Sequence, residues 1–262
     1  MSIRILQPTE IPQSARKQLF VRTLLHWFQR FGRDLPWRRT RNPYEILVSE
    51  VMLQQTQVDR VKDYYTRFLD TFPTVRHLAA ATEQAVLQTW DGLGYYNRAR
   101  NLHKTAIIIV DEYDGQFPET IDELVALPGV GRYTAGAIAS FAFVQPSPIV
   151  DTNVKRVLER VFVQRRHSSP AKQERRIWNL AGELITPKIV WAFNQALMDF
   201  GAKICRAQRP KCGICPLRSF CIEYERRRSP QMEIPYAEAD PQFTKAAEPY
   251  VPYARNQDAS AE

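Results

Sequence analysis

The four cysteines of the chain lie close together in the sequence. They are Cys205, Cys212, Cys215 and Cys221, separated by six, two and five residues. Thiols gathered in this way in a chain without an export signal are typical of metal binding rather than of disulfides. A zinc ribbon usually has two Cys-x2-Cys pairs, and this sequence has one. Four thiolates at unequal spacing are typical of [4Fe–4S] ligands, so the pattern predicts that cofactor, with zinc as the alternative.

Three cations lie in the segment between the first two cysteines. Arg206, Arg209 and Lys211 follow Cys205 and precede Cys212. Metal ligation at both ends would hold this segment in place, and cations held in advance bind phosphate groups well. We therefore expect a phosphate-binding loop at this position.

A second candidate phosphate site is a glycine-containing turn between two predicted helices. Pro128 ends a helix predicted over 120–127, and another helix is predicted over 134–144. Gly129 and Gly131 are expected to permit positive φ angles and a close approach of the backbone. Amides at a helix N-terminus suit a phosphate, although a Gly-x-Gly turn is also an ordinary connection between two buried helices.

Two acidic residues lie at positions that suggest chemistry. Glu50 lies beside the apolar face of a helix predicted from Asn42 to Gln57, where an unpaired carboxylate is unfavourable. Asp151 follows two prolines and precedes a helical pattern, so it lies at or near a helix start. Taken alone, Glu50 could be a surface residue of its helix and Asp151 an ordinary N-cap.

The composition indicates a globular protein with a polyanionic partner. The 262 residues are 44% hydrophobic and 24% charged, and the net charge is +8. Residues 155–228 alone hold 17 Lys and Arg against 6 Asp and Glu, which favours nucleic acid as the partner over a merely solvated basic face. No apolar run reaches about 18 residues and no signal peptide is recognisable, so we expect a cytoplasmic protein, at the nucleoid if bacterial.

The elements that must position these residues are predicted to be helices throughout. No window alternates as a strand does, so the sequence predicts an all-α fold. The remaining predicted helices cover residues 14–31, 58–72, 82–90, 97–113, 152–163, 170–185 and 190–204. After Ile222 an arginine triplet and five prolines predict a flexible tail.

With these motifs the sequence resembles the helix–hairpin–helix DNA glycosylases of the endonuclease III superfamily. In that superfamily an aspartate lies about twenty residues beyond the hairpin, as Asp151 lies beyond Gly131, and the cluster cysteines have the same spacing. Within the superfamily the chain is most similar to the adenine DNA glycosylases, over roughly residues 14–225. This similarity also involves the segments 33–37, 49–57, 92–96 and 192–196.

The resemblance implies an organisation in two domains. A six-helix barrel over 35–145 would include the helix–hairpin–helix at 120–144, and residues 1–34 would complete a [4Fe–4S] cluster domain over 146–225. Residues 226–262 would form the flexible tail. Double-stranded DNA containing a mismatch or lesion would lie in the groove between the domains, with the target base extruded. A monomer without a membrane partner is expected.

The resemblance also implies a role for each motif residue. Glu50 would protonate adenine at N7 as the glycosidic bond breaks, and Asp151 would stabilise the oxocarbenium-like sugar or its covalent adduct. Tyr133 and Asn153 would support Asp151 and the attacking group. The base pocket would consist of Arg33, Trp37 and Gln195. DNA contacts would come from Gln55, Thr56, Tyr95, Gly129, Gly131, Arg206, Arg209 and Lys211.

Two departures from the superfamily pattern bear on activity. Endonuclease III has a lysine at the position of Tyr133, and that lysine forms the Schiff base for strand cleavage, so a monofunctional glycosylase is expected. Adenine-specific members usually carry a C-terminal domain that reads 8-oxoguanine, and we expect the 41 residues after Cys221 to be too few for it. The expected activity is hydrolytic removal of adenine opposite guanine or 8-oxoguanine. The alternatives are a thymine or uracil glycosylase acting on T·G or U·G, and a non-catalytic DNA-binding iron–sulfur protein.

Overall fold

The computed structural model describes residues 11–163 and 169–228, and in these ranges the chain is helical without any strand. The all-α prediction is confirmed. The helices are α1 (Gln13–Phe31), α2 (Pro43–Leu53), α3 (Val58–Thr71), α4 (Val75–Ala80), α5 (Glu83–Trp90), α6 (Asn97–Tyr113), α7 (Ile121–Ala126), α8 (Arg132–Phe141), α9 (Thr152–Phe162), α10 (Pro170–Glu183), α11 (Val190–Lys203) and α12 (Ile222–Arg227). Along the described ranges, none of these helices is both long and apolar enough to cross a membrane.

Several helix bounds differ from the sequence prediction. Helix α2 ends at Leu53, four residues before the predicted end, because Gln55 has a φ of 58° and the chain turns there. Helix α4 was not predicted, and it starts where the Thr74 side chain accepts a hydrogen bond from the His77 amide. Helix α12 includes Arg226, so the first residues of the expected tail are helical. The rest of that tail, from residue 229, lies outside the described residues.

The buried apolar side chains form two clusters. The first draws its members from residues 35–149, and the second from α1, α9, α10, α11 and the segment around Leu217 and Phe220. Trp191 and Met198 of α11 pack against both clusters. The clusters divide after residue 34 and after residue 149, and the expected domain division at residues 34 and 145 stays a prediction.

Helix α11 also fixes both segments where the chain passes from one cluster to the other. In the first segment, Asp199 accepts hydrogen bonds from the Arg33 amide (2.8 Å) and from the Arg38 guanidinium (2.8 and 3.0 Å). Burial alone would raise the pKa of Asp199, but the hydrogen bonds and charges of these two arginines hold it below its usual value. In the second segment, Asn194 donates to the Ser147 carbonyl at 3.0 Å.

Candidate active site

The carboxyl group of Glu50 is buried near the end of α2. The residue is 4% exposed, and Oε2 finds no hydrogen-bond partner among the described residues, so Glu50 is not a surface residue of its helix. Burial raises the pKa of Glu50 to about 7. The charge of Asp151 adds to this rise, whereas a hydrogen bond with Tyr133 and the charge of Arg38 oppose it. A carboxyl group with this pKa is substantially protonated at neutral pH and can act as a general acid.

Tyr133 joins Glu50 and Asp151 at the start of α8. Burial raises the pKa of Tyr133 well above its usual value, and the charges of Glu50 and Asp151 raise it further, so the phenol keeps its proton. Its hydroxyl also lies 3.4 Å from the sulfur of Met198 in α11. The structure thus brings together Glu50, Tyr133 and Asp151, which lie on three different elements.

Asp151 is the N-cap of α9. Its Oδ1 accepts from the Val154 amide at 2.7 Å, and its Oδ2 accepts from the Asn153 amide group at 2.9 Å. The ordinary N-cap interpretation is therefore correct, but it does not exclude a second role, because the carboxylate also interacts with Glu50. Both oxygens of Asp151 are held in place, so its orientation is set by the first turn of α9.

Arg156 links this aspartate to the cysteine segment, a connection that the sequence did not reveal. Its guanidinium donates to the Asn153 side-chain oxygen (2.7 Å), the Gly201 carbonyl (2.9 Å) and the Cys205 carbonyl (2.8 Å). Gly201 makes this approach possible, because a Cβ there would lie 2.7 Å from Cβ of Asn153. The only signal in the sequence was the helical spacing of Asn153 and Arg156, which place their side chains on one face of α9.

The three residues expected in the base pocket have different surroundings. The guanidinium of Arg33 is paired with the buried Asp199. Trp37 is 6% exposed and packs edge to face against Tyr65, with ring centroids 5.5 Å apart. Gln195 is buried on α11. Their contact with an extruded base stays a prediction.

The two glycines of the hairpin differ in their geometry. Gly129 has a φ of +75°, and a Cβ there would lie 2.9 Å from Cβ of Asn101, so this position needs glycine. Gly131 has a φ of −87°, so it does not use the positive φ that glycine permits. It is the N-cap of α8, and a Cβ would meet nothing within 4 Å. The space in front of the first amides of α8 is therefore open, as a phosphate site requires.

Two exposed loops lie side by side near the ends of α2 and α5. Both contain a non-glycine residue with positive φ, Gln55 at 58° and Tyr95 at 51°. Both residues line one shallow surface pocket, and Tyr95 is 61% exposed. Thr56 is partly buried beside them, and its hydroxyl accepts a hydrogen bond from Arg98.

The four cysteines line a single cavity with apolar walls. Burial raises the pKa of Cys212, Cys215 and Cys221, and the neighbouring thiolates raise each of them further, so four thiolates require a cationic group between them. Backbone amides also donate to Cys215 and Cys221, as is common around cluster thiolates. In the parts of the chain that the structure describes, no three possible ligands converge as they would around one metal ion. The four cysteines that line this cavity and the backbone donors beside two of them fit the predicted cluster.

The cationic segment after Cys205 is held at its base and exposed at its tip. The Lys211 amide donates to the Ile204 carbonyl at 2.9 Å, which closes the segment into a loop. Arg160 donates to the Arg206 carbonyl (2.7 Å) and lies 3.4 Å from the Cys205 sulfur. Arg206, Arg209 and Lys211 are all exposed, so their charges are available to a ligand.

An all-helical chain with a hairpin beside a buried acid and a cysteine-lined cavity is the architecture of a base excision repair protein. The profile described as "HhH-GPD superfamily base excision DNA repair protein" matches residues 48–183, just over half of the sequence. The chain belongs to this superfamily. Residues 205–221 match the iron–sulfur binding domain of endonuclease III. The predicted cofactor, a [4Fe–4S] cluster bound in this segment, is confirmed.

Among curated proteins the chain is similar to adenine DNA glycosylases. It is 47% identical to that of Rattus norvegicus over 79% of this chain and 42% of the relative. It is 46% identical to that of Buchnera aphidicola subsp. Baizongia pistaciae, over 79% of this chain and 58% of the relative. The chain therefore spans about half the length of these relatives. Among solved structures, a thermostable thymine-DNA glycosylase matches with a TM-score of 0.75 and 31% identity, over 81% of this chain and 98% of that one.

Proposed function

We propose that this protein is a monofunctional DNA glycosylase that hydrolytically removes adenine mispaired with guanine or 8-oxoguanine. The observation that carries the proposal is the buried Glu50, whose pKa of about 7 keeps a proton available beside Asp151. The similarity to curated adenine DNA glycosylases supports adenine as the base. In this mechanism Glu50 donates a proton and Asp151 stabilises the sugar, so the two carboxyl groups have different roles.

In the first step, Glu50 gives its proton to the purine, at N7, while the glycosidic bond lengthens. An unprotonated adenine anion is a poor leaving group, so proton transfer lowers the barrier. The protonated Oε oxygen has to face the base for this transfer, and the unpartnered Oε2 of Glu50 is available for it. In this proposal Arg33, Trp37 and Gln195 line the pocket that receives the base.

In the second step, Asp151 stabilises the oxocarbenium-like sugar or forms a covalent adduct with it, and water then completes hydrolysis. Asn153 and the Val154 amide hold its two oxygens, so the carboxylate is oriented in advance. Tyr133 supports this group with its hydroxyl. Because Tyr133 has no amine, no Schiff base with the sugar can form at this position, so we propose release of the base without strand cleavage.

We propose that the DNA is held at three places along the groove between the two domains. The open amides at Gly129 and Gly131 would bind one phosphate, and the loop with Arg206, Arg209 and Lys211 would bind another. The gap that the extruded base leaves in the stack would be filled by Gln55, Thr56 and Tyr95. Cys205, Cys212, Cys215 and Cys221 would be the cluster ligands. The protein would act as a monomer in the compartment that holds the DNA, which is the cytoplasm, at the nucleoid if bacterial.

The test is single-turnover base release from A·G, A·8-oxoG, T·G and U·G duplexes with the holoprotein. We expect adenine release from the first two and little release of thymine or uracil. Glu50→Gln and Asp151→Asn should each slow release at least a hundredfold while binding to the A·G duplex persists. Glu45→Gln, the same change on the same helix, is the control and should keep the wild-type rate. Rates within tenfold of wild type for Glu50→Gln would contradict the assignment of the acid.

The second candidate is a thymine or uracil glycosylase acting on T·G or U·G. It is favoured by the structural similarity to a thymine-DNA glycosylase, which this chain covers almost completely. The same four duplexes decide between the two candidates. Release of thymine or uracil with adenine left in place would establish the second candidate and exclude the first.

A further inference from the structure

A single guanidinium, that of Arg98, joins the two exposed loops that carry Gln55 and Tyr95. Arg98 is the second residue of α6 and is partly buried. Its Nη1 donates to carbonyls at the end of α2, and its Nη2 donates both to the loop before α6 and to the Thr56 hydroxyl in the loop after α2. The acceptors are the carbonyls of Val51 (3.0 Å), Met52 (2.9 Å), Gln54, Leu93 (3.3 Å) and Gly94 (3.1 Å), and the hydroxyl of Thr56 (3.2 Å).

The position of Arg98 is not explained by its own helix. A cation in the first turn of a helix interacts unfavourably with the helix dipole. The last carbonyls of α2, in contrast, lack partners within their helix, and a cation there is favourable. The guanidinium also lies 5.4 Å from the ring centroid of Trp90 and 5.3 Å from that of Tyr95. The contacts of Arg98 with the end of α2 and with the loop before α6 therefore account for its position, whereas α6 itself does not.

The two loops that it joins have strained backbones. Gln55 and Tyr95 have positive φ angles, a conformation that is unfavourable for residues other than glycine. Both are exposed, so burial of their own side chains does not compensate for this cost. Hydrogen bonds from Arg98 to the carbonyls of Gln54 and Gly94 act on the residues immediately before each strained position.

We propose that Arg98 is a positioning residue that holds these two loops at the spacing needed to engage the DNA duplex. The inference rests on the proposed function. Because one guanidinium contacts both loops, it fixes the distance between the side chains of Gln55 and Tyr95, which would enter the base stack together. Val51 directly follows Glu50, so the same guanidinium also fixes these side chains relative to the acid.

The test compares Arg98→Lys with Arg100→Lys. Lysine keeps the charge of Arg98, but a single ammonium cannot reach acceptors on both loops. Arg100 lies two residues further along the same helix, where its guanidinium contacts Glu83 and Asn97, so it is a matched control. Thr56→Val is a milder variant that removes one acceptor and does not threaten folding. Hydrogen exchange of the amides at 54–56 and 93–96 in the free holoprotein reports loop order without reference to activity.

The second measurement separates base extrusion from chemistry. Single-turnover release is compared on an A·G duplex and on a duplex in which adenine faces an abasic site, where extrusion is easier. For Arg98→Lys we expect loop exchange at least tenfold faster, release from A·G at least tenfold slower, and release from the abasic duplex less than threefold slower. Thr56→Val, whose side chain is itself a proposed DNA contact, is compared by loop exchange alone and should speed it a few fold, and Arg100→Lys should match the wild type in every measurement. The pH dependence of release should stay unchanged.

Two results would overturn this role. Loop exchange that is unchanged in Arg98→Lys would show that the loops do not need the guanidinium. Equal losses on both duplexes, with a shifted pH dependence, would show that Arg98 acts through Glu50 and not through the loops. A wild-type protein that releases no base would instead refute the proposed function. In that event, loop exchange together with the affinity of each variant for the A·G duplex would still decide the role of Arg98.

Discussion

The raised pKa of Glu50 should be visible as a fall in activity above neutral pH. With its ordinary pKa of 4.5, a carboxyl group at pH 7.5 would be about 0.1% protonated. With a pKa of about 7 it is roughly one quarter protonated, so burial increases the acid form by a factor of roughly 200. Since the protonated form is the reactive one, the titration of Glu50 should leave the rate of base release nearly constant below pH 6. Well above pH 7 this rate should fall about tenfold per pH unit.

The assay is single-turnover adenine release with enzyme in excess over the duplex, from pH 5.5 to 9. Saturating enzyme removes changes in DNA affinity from the measured rate. The small residual rate of Glu50→Gln should lack this alkaline fall. The reasoning would be refuted if the wild-type rate did not fall between pH 6.5 and 8.5, or if Glu50→Gln showed the same fall.

The raised pKa of Glu50 also predicts that the difference in stability between Glu50→Gln and the wild type depends on pH. This difference can be measured without any substrate. The folded state binds the Glu50 proton more tightly than the unfolded state, so stability is lost as pH rises from 4.5 through 7. The loss amounts to at most about 3 kcal/mol, or roughly 6–12 °C in Tm for a domain of this size. Glu50→Gln should therefore melt several degrees above the wild type at pH 8, with a clearly smaller difference at pH 5. Equal differences at both pH values would show that Glu50 is not the cause.

Three further predictions follow from individual contacts. Tyr133→Phe removes the hydrogen bond that lowers the pKa of Glu50, so the alkaline fall of any remaining base release should move to higher pH; a move to lower pH would contradict this. Gly129→Ala should lower the free energy of unfolding by about 1–3 kcal/mol, because Gly129 has a positive φ and a Cβ there would press on Asn101. Gly131→Ala should leave the Tm unchanged and weaken DNA binding several-fold in titrations. Asp199→Asn leaves two arginines without their buried anion and should cost about 3 kcal/mol in thermal unfolding, and a loss under 1 kcal/mol would count against the ion pairs.

Local signals in the sequence were sufficient to predict most helices and the cofactor. Helix α6 has the predicted bounds, and Asp151 caps α9 as expected, because each depends on residues within one or a few helical turns. The cysteine spacing predicted the cluster for the same reason. The wrong end of α2 also has a local cause, but one that side-chain patterns do not report, namely the backbone conformation of Gln55.

The residues that the sequence did not reveal all act over long separations. Asp199 lies 161 residues from Arg38, and Arg156 lies 49 residues from Cys205. Nothing in the composition or periodicity near such residues distinguishes them from surface charges, because their partners are set by how the helices pack. Arg98 likewise contacts carbonyls at the end of α2 that lie 44 to 47 residues away in the sequence. Long-range polar contacts of this kind become predictable only when the tertiary arrangement is known.

Helix α11 holds both segments where the chain passes from one apolar cluster to the other, and this attachment has a mechanical consequence. Asp199 holds the segment after α1, and Asn194 holds the segment before α9, so both connections between the two apolar clusters are tied to the same helix. The groove that we propose for DNA would then have a width set by these contacts with one helix. In the proposed complex the duplex, rather than the protein, would change shape, by bending and unstacking as it enters. Sites that deform easily, such as mispairs, would enter such a groove at lower energetic cost than paired DNA, before any base is recognised by its hydrogen bonds.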